Sequence, residues 1–538
     1  MTARSKNKTV GCVAFVGAGP GDTGLLTVRA TELLARAGAV VVDGPGRQEL
    51  INRYCPEDVE VLDGGFGENG QPLTHAGRAK VVTKAARSGQ NVVRLLEGDA
   101  ATFVGLAEEM LACRKAEVPF EVVPGVSTAT SVPLFAGVPP TTAAVGAVHV
   151  IEAASNKVDY AALSDERATV VLLGVNDDVA AAAAAMVEAG ASPDTEVVAA
   201  TQGSTTDQRS VQATLGTLGK VLESQDTDIW TGTIVAVTGP GVALRDRTSW
   251  FETKSLFGWR VLVPRTQQQS GPMVERLGTY GAVAEVVPTI SVEPPRTPHQ
   301  MEKAVRGLVT GRYEWIGFTS VNAVRAIREK FKEYGLDARA FAGLKVAAVG
   351  GVTADALRAW GIEPDLVPTG EQSAKGLLAE WPPYDEVLDP INRVFLPRAD
   401  IATDTLVAGL QENGWEVDDV TAYRTVRAAP PPAPIRDAIK NGSFDAVVFT
   451  SSSTVRNLVG IAGKPHTTTV VACIGPATAK TAEEHGLRVD VLAPEPSAAA
   501  VVDALAEFGA GMAAAAAEAG EPLLRPSEKR PAARRRAR

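Results

Sequence analysis

Residues 315–325, WIGFTSVNAVR, return as AVVFTSSSTVR at residues 446–456. In both, an apolar run rich in aromatic and β-branched residues meets Thr-Ser and then opens into helical spacing, so each reads as a strand that ends on a helix cap. The echo continues on either side. VLVPR at 261–265 recurs as VFLPR at 394–398, and VAAVGGVTADALRAWG at 346–361 recurs as VACIGPATAKTAEEHG at 471–486. Three matched segments in one order, about 130 residues apart, are an internal duplication, and a repeat decides architecture ahead of local signals. Each copy has the same grammar: strand, helix, strand, a strand ending in Thr-Ser, helix, then a strand ending in Gly ahead of another helix. This predicts two similar α/β lobes with a cleft between them, a place where ligands are expected.

A Ser or Thr at a helix start satisfies one free N–H, and the remaining N–H groups attract carboxylates. The candidates are Thr319 and Ser320, their counterparts Thr450 and Ser451, the segment after Val349-Gly350-Gly351, and Gly475 with Thr478 in Ile474-Gly475-Pro476-Ala477-Thr478. Any one of them is explained by capping alone. Their repeat-related placement favours a poly-carboxylate ligand in the cleft. Arg265 and Arg398 end the two equivalent strands and either hold carboxylates or close surface ion pairs.

The first half also alternates short β-branched runs with Ala/Leu-rich helical stretches. Strands are expected at Val13–Gly17, Ala39–Asp43, Asn91–Leu95, Glu121–Val123, Val148–Glu152, Thr169–Leu173, Val197–Thr201 and Ile234–Thr238. Between Val242 and Lys254 the chain turns polar, and a new strand starts at WRVLVPR. The expected organisation is a first domain over 10–251, a linker over 252–258, a two-lobed domain over 259–508, and a disordered Ala-rich, basic tail over 509–538. From Arg525 onward the tail carries Arg525, Lys529, Arg530, Arg534, Arg535, Arg536 and Arg538 against the single acid Glu528, and like charges repel.

With 538 residues, 45% hydrophobic and 22% charged, the chain has ordinary globular composition for two to four compact units. A net charge of −10 argues against nucleic acid as a general partner. No apolar run of membrane-spanning length and no signal-type start is present, so a soluble, cytoplasmic protein without a membrane partner is expected. The four cysteines form no Cys-x-x-Cys and the five histidines never take metal-ligand spacing, so neither disulfides nor a metal are expected.

From about Trp259 to Glu507 the chain resembles uroporphyrinogen-III synthase. The VPR start, the FTSxNAV segment, LPRADIATDTLVAGLQENGWEVDDVTAYRT and IGPATAKTAEEHGL all carry the likeness. The resemblance implies cyclisation of hydroxymethylbilane with inversion of ring D, without a cofactor. It places Tyr423, in TAYRT, in the cleft as the group that hydrogen-bonds the departing hydroxyl. Such chemistry needs a folded, positioned substrate more than a strong acid or base.

In the first half, VGAGPGD at 16–22 lies between a strand and a helix expected near Leu25. Asp22 stands in the third-glycine place, so the dinucleotide fingerprint fails. Together, GAGPGDTGLLTVRATELLARAGAVVVD, VVRLLEGDA, PFEVVPGVSTATSVPLFAGVPPT and TGPGVALRD resemble uroporphyrinogen-III C-methyltransferase from about Val10 to Phe251. That likeness implies a tetrapyrrole-methylase-like α/β domain ahead of the two-lobed synthase-like one. It also implies S-adenosylmethionine as cofactor and methylation of uroporphyrinogen III to precorrin-2, on the branch toward sirohaem and cobalamin-like products, with a homodimer through this domain. Carried over by position, Pro20, Gly98, Asp99, Ser127, Thr128, Leu173 and Gly203 contact the cofactor, and Asp43 accepts a proton.

The chain departs from the family in three places. Leu96-Glu97-Gly98-Asp99-Ala100 stands for Lys-Gly-Gly-Asp-Pro, which puts bulk and negative charge at the cofactor loop. Asp63-Gly64-Gly65-Phe66-Gly67 lacks the family's lysine, and Pro140-Thr141-Thr142-Ala143-Ala144 lacks its His and Arg. Three readings therefore stand: a bifunctional enzyme, an active synthase behind a non-catalytic domain that binds cofactor or tetrapyrrole, or a two-lobed binding protein in which neither half catalyses.

Overall fold

The computed structural model describes residues 10–529 apart from 45–46, 68–69, 164, 166, 225–229 and 231. The chain divides into two compact units, Met1–Trp259 with Leu277–Val283, and Arg260–Arg276 with Ala284–Arg538.

The first unit holds two sheets. Strands β1 (Val13–Gly17), β2 (Ala39–Val42), β3 (Glu60–Asp63), β4 (Val92–Leu96) and β5 (Phe120–Val123) form a parallel sheet in the order β3-β2-β4-β1-β5. Strands β1, β2 and β4 are apolar throughout except for Arg94, because helices cover both faces and each face has its own core. The second sheet contains β6 (Ala147–Glu152), β7 (Ala168–Gly174), β8 (Glu196–Thr201), β9 (Arg209–Thr214) and β10 (Ile234–Thr238). Its order is β6-β7-β10-β8-β9, with β10 antiparallel to both neighbours. All eight expected strands are present to within a residue or two. The expected first helix begins at Val28, and a 3-10 turn capped by Asp22 occupies Thr23–Leu25.

The second unit contains β11 (Arg260–Val263), β12 (Val283–Val286), β13 (Ile290–Glu293), β14 (Trp315–Phe318), β15 (Lys345–Ala348), β16 (Arg393–Ala399), β17 (Glu416–Arg427), β18 (Ala446–Phe449), β19 (Val470–Cys473) and β20 (Val491–Leu492). They make two five-stranded sheets, β12-β11-β18-β19-β20 and β13-β17-β16-β14-β15. The lobes are similar, but neither is one copy of the repeat. The VLVPR strand pairs with AVVF of the other copy, with Val261 opposite Ala446. The VFLPR strand pairs with WIGF, with Val394 opposite Trp315. The chain thus builds half of one lobe, crosses at Val287–Thr289, builds the other, and returns after Arg427.

The disordered tail expected from residue 509 is corrected. A helix runs Ala498–Ala519, its first half buried through Val501, Val502 and Leu505. Alanine is the best helix former, so a helix anchored by those apolar contacts propagates through the Ala-rich run. By length and composition this helix passes a test for a membrane span, a test that the core helix of a soluble protein also passes. Beyond it Pro526 is buried, and the Ser527 N–H donates to Asp445 Oδ1 at 2.9 Å. The remaining basic residues, 530–538, lie outside the described residues.

Candidate functional sites

The first unit contains a cavity of about 830 Å³ walled by both of its sheets. Four of the seven expected cofactor residues line it: Pro20 after β1, Thr128 on the helix Thr128–Phe135, Leu173 on β7 and Gly203 after β8. Gly98, Asp99 and Ser127 stand behind that lining. Gly98 exchanges two 3.0 Å backbone hydrogen bonds with Gly19. Asp99 Oδ1 accepts from the Gly125 N–H at 3.1 Å and the Ala101 N–H at 3.2 Å, so its carboxylate braces backbone. Ser127 is the N-cap residue of the helix.

Gly98 has φ +64°, and a Cβ there would come within 2.4 Å of Thr128 Oγ1. The glycine lets that hydroxyl pack against the loop. Thr128 Oγ1 is buried and has no hydrogen-bond partner among the described residues. It is an orphaned buried hydroxyl on a residue of the cavity wall, turned toward Gly98.

The substituted loop brings its negative charge to the cavity but not its bulk. Leu96 turns into the core on the far face of β4, and Glu97 sits exposed at the cavity rim.

Asp43 lines the same cavity after β2. Its Oδ2 accepts from Arg94 Nη2 at 2.7 Å, and Arg78 Nε lies 3.7 Å from Oδ1. Arg94 is wholly buried and also donates from Nε to the wholly buried Glu109 at 3.1 Å. Burial penalises the Arg94 charge, but Asp43 and Glu109 outweigh it and hold the guanidinium above its ordinary pKa. Burial also pushes the Glu109 carboxyl up, against the pull of Arg94. Sequence reasoning missed this trio. The signal was the arginine inside VVRLL, since a cation in a doubly covered strand must find anions nearby.

The second unit has a cleft of about 430 Å³ that draws on both lobes, including Thr266, Pro288, Asn322, Arg325 and Tyr423. The Tyr423 hydroxyl lies 2.9 Å from Ser320 Oγ, which in turn accepts from the Ala323 N–H at 3.2 Å as the cap of the helix Val321–Glu333. Thr319 and Thr450 precede their capping serines and are half-buried. Ser451 forms a capping box with Thr454. Gly475 caps the helix Pro476–Glu484 with open space before it, and Thr478 is buried. Its counterpart Gly350 is blocked, because Gln372 Oε1 accepts from the Gly351 N–H at 3.1 Å.

The two strand-ending arginines differ. Arg265 is half-buried, its guanidinium has no ion-pair or hydrogen-bond partner among the described residues, and burial lowers its pKa. Arg398 is spent internally. It forks onto Asp419, with Nε 2.7 Å from Oδ1 and Nη2 on Oδ2, and donates to the Thr403 carbonyl at 2.5 Å. Of the two roles open to Arg398, carboxylate binding or an ion pair, the pairing with Asp419 answers to the ion pair. Because β11, β18 and β19 run parallel, Arg265, Ser451 and Gly475 follow them along one edge.

The family model Uroporphyrinogen-III synthase HemD matches residues 271–503, and Tetrapyrrole (Corrin/Porphyrin) Methylases matches residues 12–219. The chain is 31% identical over 511 residues to the porphyrin biosynthesis protein HemD of Ruminiclostridium josui, covering 93% of this chain and 99% of that one. It is 32% identical over 212 residues to the uroporphyrinogen-III C-methyltransferase of Methanocaldococcus jannaschii, covering 38% of this chain and 87% of the relative. To the siroheme synthase of Thioalkalivibrio sulfidiphilus it is 32% identical over 289 residues, covering 51% of this chain and 56% of the relative, so it spans about half of that protein.

Proposed function

This chain belongs to the family of the porphyrin biosynthesis protein HemD, with a tetrapyrrole methylase and a uroporphyrinogen-III synthase in one polypeptide, and we propose that it methylates the tetrapyrrole that it makes. The second unit cyclises hydroxymethylbilane to uroporphyrinogen III with inversion of ring D. The first unit methylates that product toward precorrin-2, at the head of the sirohaem and cobalamin-like branch. The substrates are water-soluble polyacids, which suits a cytoplasmic setting.

The observation that carries the synthase reading is the Tyr423 hydroxyl in the cleft, bonded to Ser320. The serine oxygen already accepts from the Ala323 N–H. When the serine hydroxyl donates to Tyr423, the phenolic proton is left for the departing hydroxyl of hydroxymethylbilane. Arg265, Ser451 and the open helix end at Gly475 hold the substrate's carboxylates, since an unpaired guanidinium and free N–H groups favour anions.

In the first unit, S-adenosylmethionine supplies the methyl group when bound. The residues that would hold it are Pro20, Thr128, Leu173 and Gly203, and the orphaned Thr128 hydroxyl beside Gly98 is the buried polar atom in that wall that fits a polar ligand. Asp43, fixed by Arg94, accepts the proton that the tetrapyrrole loses from a bridging carbon or ring nitrogen as the methyl group is added, because the methylated β-carbon already carries a side chain and has no hydrogen of its own. A non-catalytic first unit is not favoured, because the cavity is open and Leu96 lies outside it.

Incubation of the purified chain with fresh hydroxymethylbilane and S-adenosylmethionine, read by mass and isomer analysis, tests both activities. Methylated type III product is the expected outcome. Unmethylated type III product would leave the synthase standing and sink the methylation, and type I product alone would sink the synthase.

A further inference from the structure

Gly203 forms one wall of the methylase cavity, and a Cβ there would come within 2.3 Å of Val132 Cγ2. Its two neighbours are both held in the left-handed region, Gln202 at φ 51° and Ser204 at φ 63°. Non-glycine residues stay in that region only where their surroundings over-determine it. Gln202 is held by Thr205, whose N–H and Oγ1 donate to its carbonyl at 3.2 and 2.7 Å, and Ser204 is held by Gln208, which is wholly buried. Its Oε1 accepts from the Ser204 N–H at 2.8 Å, and its Nε2 donates to the Phe135 carbonyl at 3.1 Å and to Glu252 Oε1 at 2.7 Å. Glu252 is itself fixed by Ser210, whose hydroxyl donates at 2.6 Å. Ser204 passes the restraint on, because its Oγ accepts from the Asp22 N–H at 3.0 Å, in the loop that carries Pro20 and Gly21 to the cavity. One chain of hydrogen bonds therefore runs from Glu252 through Gln208 and Ser204 to two cavity walls.

We infer that Gln208 is a positioning residue for the methyl donor: it touches no ligand, but it holds the strained 202–204 backbone and the Asp22 loop in the shape that binds. The inference rests on reading this cavity as the S-adenosylmethionine site. Replacing Gln208 by Leu keeps most of its bulk and leaves the Ser204 N–H unpaired, so the 202–204 backbone is free to relax.

The test is titration calorimetry of the full chain with S-adenosylhomocysteine, alongside the KM for S-adenosylmethionine in methyl transfer. Gln208→Leu should raise Kd and KM about tenfold with kcat little changed, as expected for a lost buried amide contact. Gln208→Glu should weaken binding by setting a carboxylate against Glu252 and the Phe135 carbonyl, and adding Glu252→Gln should restore part of the affinity, because the new amide donates to the carboxylate while the Phe135 carbonyl stays unpaired. This pair decides the matter even if the leucine variant folds poorly. Leu222→Ala, in the core on the opposite face of the same sheet, should lower the melting temperature and leave Kd unchanged. An unchanged Kd in Gln208→Leu, or an equal rise in Leu222→Ala, overturns the inference while the cavity reading survives. A wild-type chain that does not bind S-adenosylhomocysteine overturns both.

Discussion

Arg265 and Arg398 close equivalent strands of the duplication, yet their surroundings give them different roles. Removing the unpaired Arg265 breaks no ion pair among the described residues. Arg265→Ala should therefore leave the melting temperature nearly unchanged and raise the KM for hydroxymethylbilane about tenfold, by loss of a charged hydrogen bond. Arg398→Ala strands Asp419 and the Thr403 carbonyl, and should cost roughly 2–4 kcal/mol in denaturant melts. The same KM rise in both variants would show that the distinction is wrong. At the cleft, Ser320 is argued to work through Tyr423. Tyr423→Phe should lower kcat on the order of 100-fold. Ser320→Ala should lower it less, and the double variant should match Tyr423→Phe alone, because the serine has nothing left to orient. Independent losses that simply multiply would refute the coupling.

Strand β4 shows how an element carries chemistry for its neighbours. Apolar at every other position, it takes Arg94 into the interior and uses it to join Glu109, on the helix Leu106–Lys115, to Asp43 at the end of β2. Replacing Arg94 with Leu would leave two carboxylates facing each other, one of them fully buried. That should cost roughly 3–5 kcal/mol, as for breaking a buried pair, and should abolish methyl transfer in the protein that remains folded. Equilibrium unfolding that matches the wild type would refute it. Legibility divided along similar lines. Doubly buried strands such as Val13–Gly17 and Ile234–Thr238 were read directly, because their apolar runs have no other explanation. Of the four edge strands of the first unit, Phe120–Val123 and Ala147–Glu152 kept enough β-branched residues to be read, whereas Glu60–Asp63 and Arg209–Thr214, with charged and polar residues at half or more of their positions, did not. The Thr-Ser caps were legible because capping is local, whereas the partner of Arg398 lies 21 residues away on β17 and had no local sign. The Ala-rich run before Gly520 was misread because charge farther along outweighed helix propensity in the reading.

At the scale of the molecule, the repeat announced two lobes but not their composition. Which strand pairs with which depends on free edges that a sequence pattern does not display. Each lobe of the second unit draws strands from both copies, so neither copy contains a complete sheet: residues 259–390 carry β11 and β12 for one lobe and β13, β14 and β15 for the other. Fragments 259–390 and 391–529, expressed separately, should show no cooperative thermal transition by circular dichroism, and mixing them should restore one. Cys473 on β19 gives a second readout. Burial pushes its thiol up to about 12, aided by Glu483. A raised thiol pKa means stability held at neutral pH and lost as pH climbs from the ordinary thiol value near 9 toward 12. At pH 8 the native chain should therefore resist alkylation at Cys473 because thiolate is absent there. The isolated 391–529 fragment lacks β11 beside β18, so it should label at the rate of a free thiol, and adding 259–390 should restore protection. A lone 391–529 fragment that melts cooperatively with Cys473 protected would mean that one copy folds by itself and that the crossed pairing of β11 with β18 and β14 with β16 is not what stabilises the lobes.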